Sequence, residues 1–302
     1  MSHTFLQRLH TGDIMVADGA TGTNLQQMGL GLGVPPEDWV MDAPQNILAL
    51  HRAFVDAGSD IILTCTFGGT RLRMRDSSYA ECAPALNRRA AELAREAASE
   101  REGVFVAGSI GPTGMLMEPL GELTYEAAVE TFAEQARALT DGGVDFLLIE
   151  TMFALEEATA AIEGAQSASD LPLVVSFSYD QGTRTMMGLR PSQVIEAIAP
   201  LGVVAIGANC GKALDGMVKV LDEMKASILS VQSTSKDARL PIWIKPNAGL
   251  PRMDGDVATY DVTPALMGEY AARFVQAGAQ IVGGCCGNSP EHVAAIAKAV
   301  RK

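Results

Sequence analysis

Short apolar runs alternate along the chain with longer stretches in which apolar residues recur at helical spacing. The runs cover residues 14–18, 61–66, 104–109, 145–150, 173–177, 203–208, 242–245 and 280–284. Each is nearly continuous in apolar side chains and is closed by Gly, Pro or a polar residue, which is how a parallel strand covered on both faces reads. Between the runs, 46–56 sets Ile47, Leu50 and Phe54 on one helical face and stops near Gly58. Further helices are predicted to open at Thr124-Tyr125-Glu126, at Thr263-Pro264 and after Asn288-Ser289-Pro290-Glu291, where a capping side chain or a first-turn proline precedes the apolar pattern. Eight strand-then-helix units predict a single (β/α)8 barrel domain over residues 1–302, with an open doubly wound sheet as the alternative.

In a barrel, the loops that follow the strands form the mouth where chemistry is built. Two long loops are expected there, 29–42 and 247–261. Cys210 falls just past the sixth strand, and Cys285 and Cys286 just past the eighth, with glycines on both sides. Three thiolates brought to one rim suit zinc, which takes sulfur ligands tetrahedrally and would keep a fourth position for a substrate atom. No CxxC pair is present, so the signal lies in where the strands place the cysteines. A vicinal disulfide between Cys285 and Cys286 is the competing reading. Cys65 on the second strand and Cys82 in a helix read as small buried apolar residues.

Composition narrows the partners. With 302 residues, 48% hydrophobic and 20% charged, the chain is not a disordered tail. Its 36 acidic and 23 basic residues give a formal net charge of −13, which disfavours nucleic acid and anionic membrane surfaces. No apolar run approaches the roughly 20 residues needed to cross a bilayer. The start, from Met1 to Phe5, lacks the layout of a secretion signal, and five cysteines do not suit a secreted disulfide framework. A reducing cytoplasm is expected.

The chain resembles the homocysteine S-methyltransferase family of zinc-dependent barrels. The resemblance rests on Asp18-Gly19-Ala20-Thr21-Gly22-Thr23, Glu150-Thr151-Met152, Gly207-Ala208-Asn209-Cys210 and Gly283-Gly284-Cys285-Cys286-Gly287, in that order. The tract 183–191 looks most like bacterial betaine–homocysteine methyltransferases. The resemblance implies that Cys210, Cys285 and Cys286 are the zinc ligands and that Asp18 and Glu150 hold the homocysteine ammonium. It also implies that the turn at Gly19 to Thr21 offers N–H groups to the substrate carboxylate. Such a use of backbone N–H groups is physically sound. Asp18 reads equally as a turn or cap residue, and Glu150, at the end of a buried strand, needs a cation, either substrate or an Arg.

A thiol with a pKa near 8.5 is mostly protonated at neutral pH, so a metal would supply the thiolate. The donor must carry a methyl group on a good leaving group. Betaine is the expectation, and a quaternary ammonium wants aromatic faces. Trp39 in the first long loop is the chosen wall, with Phe67, Phe153 and Tyr179 as further aromatics near the rim. Thr151 departs from the animal betaine enzymes and, with Met152, is more like the homocysteine module of cobalamin-dependent methionine synthase. Cys65 stands where those relatives usually show Asn, so S-methylmethionine or a methylated corrinoid protein stands as the alternative donor. Three other readings stay open. Lys245 at the end of strand seven could form an aldolase Schiff base, or be an exposed or ion-paired lysine. The glycine-rich tract 283–287 could cradle phosphate. The chain could also be a subunit that holds homocysteine for a corrinoid protein without turning over a free donor. The Ala-rich stretch 90–98 could face the barrel or a second subunit, which leaves a homo-oligomer open.

Overall fold

The computed structural model describes residues 4–232, 240–254 and 257–301. Its strands are Met15–Val16 (β1), Ile61–Leu63 (β2), Phe105–Ile110 (β3), Phe146–Met152 (β4), Leu173–Ser178 (β5), Ala205–Cys210 (β6), Ile242–Pro246 (β7), Arg252–Asp254 (β8), Val257–Thr259 (β9) and Ile281–Val282 (β10). Eight of them pair in parallel in the order β1-β10-β7-β6-β5-β4-β3-β2, while β8 and β9 form a separate antiparallel hairpin. A bridge between Ala17 and Ile61 joins the two ends of that order. Beside it Asp60 N–H donates to Val16 O at 2.6 Å, and Asp18 N–H to Ile61 O at 2.9 Å. The sheet therefore closes into a (β/α)8 barrel, and the open-sheet alternative falls.

Helices follow each barrel strand: Gly22–Gln27 (α2), Trp39–Asp42 (α3), Pro44–Asp56 (α4), Ala83–Ala98 (α5), Tyr125–Asp141 (α6), Leu155–Ala168 (α7), Pro191–Ile198 (α8), Leu214–Gln232 (α9), Pro264–Ala277 (α10) and Pro290–Val300 (α11). The predicted helix starts are found where expected. Thr124 Oγ1 caps α6 by accepting from Ala127 N–H, and Thr263 Oγ1 caps α10 by accepting from Leu266 N–H. A leading helix, Phe5–Thr11 (α1), precedes the barrel and brings Phe5 onto Phe146, with ring centroids 3.9 Å apart. It plugs the end of the barrel opposite the mouth.

The two-residue period of a strand sorts the core. Met15, Ile61, Phe105, Ala107, Phe146, Leu148, Val174, Ala205, Trp243 and Ile281 fill the barrel interior, while Val16, Ile62, Val106, Leu147, Val175, Ile206, Ile244 and Val282 face the helices. Ala90, Ala91, Ala94, Ala97 and Ala98 of α5 are buried within the chain, so that face lies against the barrel. Cys82 departs from expectation: it lies in a 3-10 turn ahead of α5 and is exposed, because the helix starts one residue later. The loop 247–261 carries the β8–β9 hairpin, and its residues 255 and 256 lie outside the described residues. Among the described residues no helix is long and apolar enough to cross a membrane.

Candidate active site

Following the interior parity one step beyond the apolar layer gives Ser109, Glu150, Ser176, Asn209 and Lys245, all almost fully buried. They form a polar floor at the mouth. Lys245 Nζ donates to Asp18 Oδ1 at 2.6 Å, and Leu63 N–H donates to Asp18 Oδ2 at 2.7 Å. Ser109 Oγ donates to Glu150 Oε1 at 2.6 Å. Burial pushes the Asp18 carboxyl above its ordinary range, against the pull of Lys245. Burial likewise pushes Glu150 up to about 7, opposed by Lys245 and reinforced by Cys285. On Lys245 the two carboxylates outweigh desolvation and hold the ammonium charged. The cation that Glu150 requires is thus neither substrate alone nor an arginine but an internal lysine. Held charged and paired, Lys245 is not the neutral amine that a Schiff-base aldolase needs.

Above this floor the sulfurs of Cys210, Cys285 and Cys286 all lie within 4.8 Å of one another, and Cys210 Sγ and Cys285 Sγ are 3.3 Å apart. All three are free thiols, which removes the vicinal disulfide. Asn209 Nδ2 points at Cys210 Sγ (3.4 Å) and Cys285 Sγ (4.0 Å). Hydrogen bonds from Cys210 and Cys285 hold the Cys286 thiol far below the usual range, while the same contacts and burial push Cys210 up. One thiolate forms easily, and three need a cation among them.

Backbone geometry aims the sulfurs. Cys210 has φ 59° and Thr151 φ 63°, left-handed values that a residue with a side chain adopts only at a cost of about 1–3 kcal/mol. Cys286 N–H donates to Asn247 Oδ1 at 3.0 Å, and Asn288 Nδ2 to Pro246 O at 3.0 Å, which pins the cysteine loop to the end of β7. The glycines of that loop are filled by neighbours: a Cβ on Gly283 would strike Ala17, on Gly284 Asn288, and on Gly287 the ring of Tyr260. The tract is packed rather than open, so the phosphate reading is set aside.

The turn after β1 is equally close. A Cβ on Gly19 would clash with Asn288 O and Phe54, and Ala20 N–H is committed to Asn288 O at 2.9 Å. The N–H groups of Gly19 and Thr21 have no hydrogen-bond partner among the described residues. Trp39 opens α3, half-buried against the outer core. Its neighbour Glu37 accepts from Gly68 N–H at 2.6 Å and Asp38 accepts from Ser77 Oγ at 2.6 Å, so this loop is anchored on the β2 side of the mouth. Tyr179 is buried, its hydroxyl without a partner among the described residues.

Two features escaped the sequence reading. The floor residues Ser109, Ser176 and Asn209 could have been found by extending the strand parity. Tyr260, after β9, is the aromatic whose ring lies on Gly287 and whose hydroxyl feels the charge of all three cysteines; burial and these sulfurs push it up to about 12. Only its place in the second long loop hinted at it.

Three thiols that could hold a metal ion converge over a buried acid–lysine floor at the mouth of a (β/α)8 barrel. The profile described as Homocysteine S-methyltransferase matches residues 15–300, and the chain belongs to that family of methyltransferases. It is 32% identical over 96% of its length to a protein described as methionine synthase from Mycobacterium leprae and 31% over 95% to that of Mycobacterium tuberculosis. The chain spans 24% of the length of each of these relatives. Among solved structures it is similar to the homocysteine methyltransferase MmuM from Escherichia coli, at 25% identity and a TM-score of 0.77. The oxidized form aligns over 94% of this chain and 95% of that one, and the metallated form over 95% and 96%.

Proposed function

We propose that this protein transfers a methyl group to the thiol of homocysteine, giving methionine, with zinc held by Cys210, Cys285 and Cys286. The observation that carries the reading is the set of three sulfurs within 4.8 Å above a buried carboxylate pair. The fit to zinc rests on the donor set itself: three soft ligands from the end of β6 and the loop after β10, a spacing that suits one ion, and an Asn209 donor turned toward the sulfurs. Bound there, zinc would lower the pKa of the substrate thiol and keep it as thiolate. A reducing cytoplasm would keep the ligand thiols available.

The chain's own groups supply the rest. Glu150 and Asp18 face the amino end of the substrate. Lys245 cancels one of their two charges, so a single ammonium completes the balance. The N–H groups of Gly19 and Thr21 meet the carboxylate. In the transfer step a bond forms between sulfur and the methyl carbon as the carbon–nitrogen bond of betaine breaks, and its electron pair stays on nitrogen as a neutral amine. The thiol proton is lost to solvent on binding.

Betaine is the proposed donor. A methyl group carried by a corrinoid protein is the second reading, supported by the methionine synthase relatives, of which this chain matches only a quarter. A donor panel on zinc-loaded protein with homocysteine tests both. Methionine formed from betaine supports the first, and methionine formed from methylcobalamin or a methylated corrinoid protein, but not betaine, replaces it with the second. No methionine from any donor overturns the proposal.

A further inference from the structure

Tyr260 stands outside every role assigned so far, yet it touches the loop that carries two of the three cysteines. Gly287, the residue after Cys286, is left-handed at φ 79°, and the place where its Cβ would sit is taken by the Tyr260 ring. The ring is fixed from both sides in sequence. Val262 N–H donates to Ala248 O at 3.1 Å, Ala248 N–H donates to Cys286 O at 2.8 Å, and His292 Nε2 lies 2.9 Å from Val262 O. The strand leading into Tyr260 is held by Thr259 Oγ1, which donates to Arg252 O at 3.0 Å. Tyr260 is half-buried, its ring packs on the glycine that follows Cys286, and it lies close enough to all three sulfurs to feel their charge. An aromatic held rigidly beside a cluster of anionic sulfurs offers a π surface next to the point where a methyl carbon must arrive.

We infer that Tyr260 is the donor-side wall of the site, the aromatic surface against which a positively charged methyl donor, ammonium or sulfonium, is set before transfer. The inference rests on the proposed methyl transfer to homocysteine and moves the wall from the Trp39 loop, anchored on the β2 side, to the hairpin loop beside the cysteines. A ring face attracts an onium group and is indifferent to a neutral group of the same shape. The ring also forfeits some of this attraction as the donor loses its charge, so it recognises the donor more than it lowers the barrier.

The test uses zinc-loaded wild type with Tyr260→Phe and Tyr260→Leu, and cobalt-substituted forms of each. Homocysteine binding is read without turnover from the sulfur-to-cobalt absorption band. Betaine and S-methylmethionine are separate donor arms, and 3,3-dimethylbutanoate, the uncharged-headgroup analogue of betaine, is the competitive probe. For whichever onium donor the wild type uses, Tyr260→Leu raises KM about tenfold while Tyr260→Phe stays near wild type, as expected for loss of a cation–π contact. The homocysteine titration, the metal content and inhibition by 3,3-dimethylbutanoate stay unchanged in both. An unaltered donor KM in Tyr260→Leu, or an equal loss of homocysteine or metal binding, overturns the inference while leaving the methyl transfer standing. A wild type that takes a methyl group from neither onium donor overturns the inference through the donor class itself.

Discussion

Asn209 and Thr151 are joined at two points: Thr151 N–H donates to Asn209 Oδ1 at 3.0 Å, and Asn209 Nδ2 donates to Thr151 Oγ1 at 2.6 Å. The same Nδ2 is turned toward the Cys210 sulfur, and Ser176 Oγ fixes Oδ1 from below at 2.5 Å. One buried amide therefore holds the left-handed Thr151 in place, where β4 loses its register between Ile149 and Met152, and reaches the sulfur of Cys210, the next residue of β6. Replacing Asn209 with Ala should weaken zinc affinity by about 10–100-fold, the usual effect of removing a group that orients a ligand. Competition with a chromogenic chelator measures it. Affinity equal to wild type would mean that the sulfurs need no support from Asn209.

The cysteines should report metal occupancy by their reactivity. Cys82 is exposed, Cys65 is buried, and the other three meet at the site. Zinc-loaded protein is expected to give one fast-reacting thiol with a disulfide reagent, and metal-stripped protein more, with Cys65 reacting only on unfolding. Cys286→Ala should lose most of its zinc and its activity. Full activity of that variant would sink the zinc reading.

Lys245 and Asp18 are a buried pair, 2% and 1% exposed. Lys245→Met leaves a carboxylate without its partner, a loss of about 3–5 kcal/mol for breaking such a pair. Adding Asp18→Asn should recover much of that stability, because the second substitution removes the stranded charge. Urea unfolding of the two single variants and the double variant measures the coupling, and a strictly additive double variant would show that the pair does not act as a unit.

Much of this architecture was legible because a parallel barrel writes itself as repeated apolar runs, and because Cys210, Cys285 and Cys286 fall at strand ends. The rest depended on direction, which spacing does not encode. Glycines of the cysteine loop looked like an open cradle until Asn288 and Tyr260 were seen to fill them. Lys245 at a strand end left a Schiff base, an exposed lysine and an ion pair open; it shares the interior parity of Trp243 and is ion-paired inward with Asp18. The loop of Trp39 was legible as long, but not the bonds of Glu37 and Asp38 to Gly68 and Ser77 that fix its path after β2. Which way a long loop folds is decided by such tertiary contacts.

Homocysteine binding should depend on the charge of Glu150. Its carboxyl is pushed up to about 7 by burial, so below that pH the free protein presents a neutral acid to the substrate ammonium. Affinity should therefore rise as pH increases from about 6 to 8. Glu150→Gln should weaken binding by at least about tenfold near pH 8, the worth of a charge-assisted hydrogen bond, with zinc content unchanged. The thiol also titrates in this direction, so the decisive quantity is the wild-type to variant ratio, which should shrink at low pH. A ratio of one at every pH would remove Glu150 from the ammonium site.

The last prediction concerns His51, on the buried stripe of α4 that also carries Ile47, Leu50, Phe54 and Val55. Both ring nitrogens are buried without a hydrogen-bond partner among the described residues, and burial lowers the pKa from 6.5 to about 4. The folded protein keeps the ring neutral where the unfolded chain would protonate it. Stability is therefore lost as pH falls from 6.5 toward 4, by about 2 kcal/mol between pH 7 and pH 5. His51→Leu fills the same apolar site with nothing to protonate. Its urea midpoint should fall less than that of wild type between those two pH values. Equal falls would show that His51 finds a proton acceptor or water in solution and that the acid sensitivity arises elsewhere.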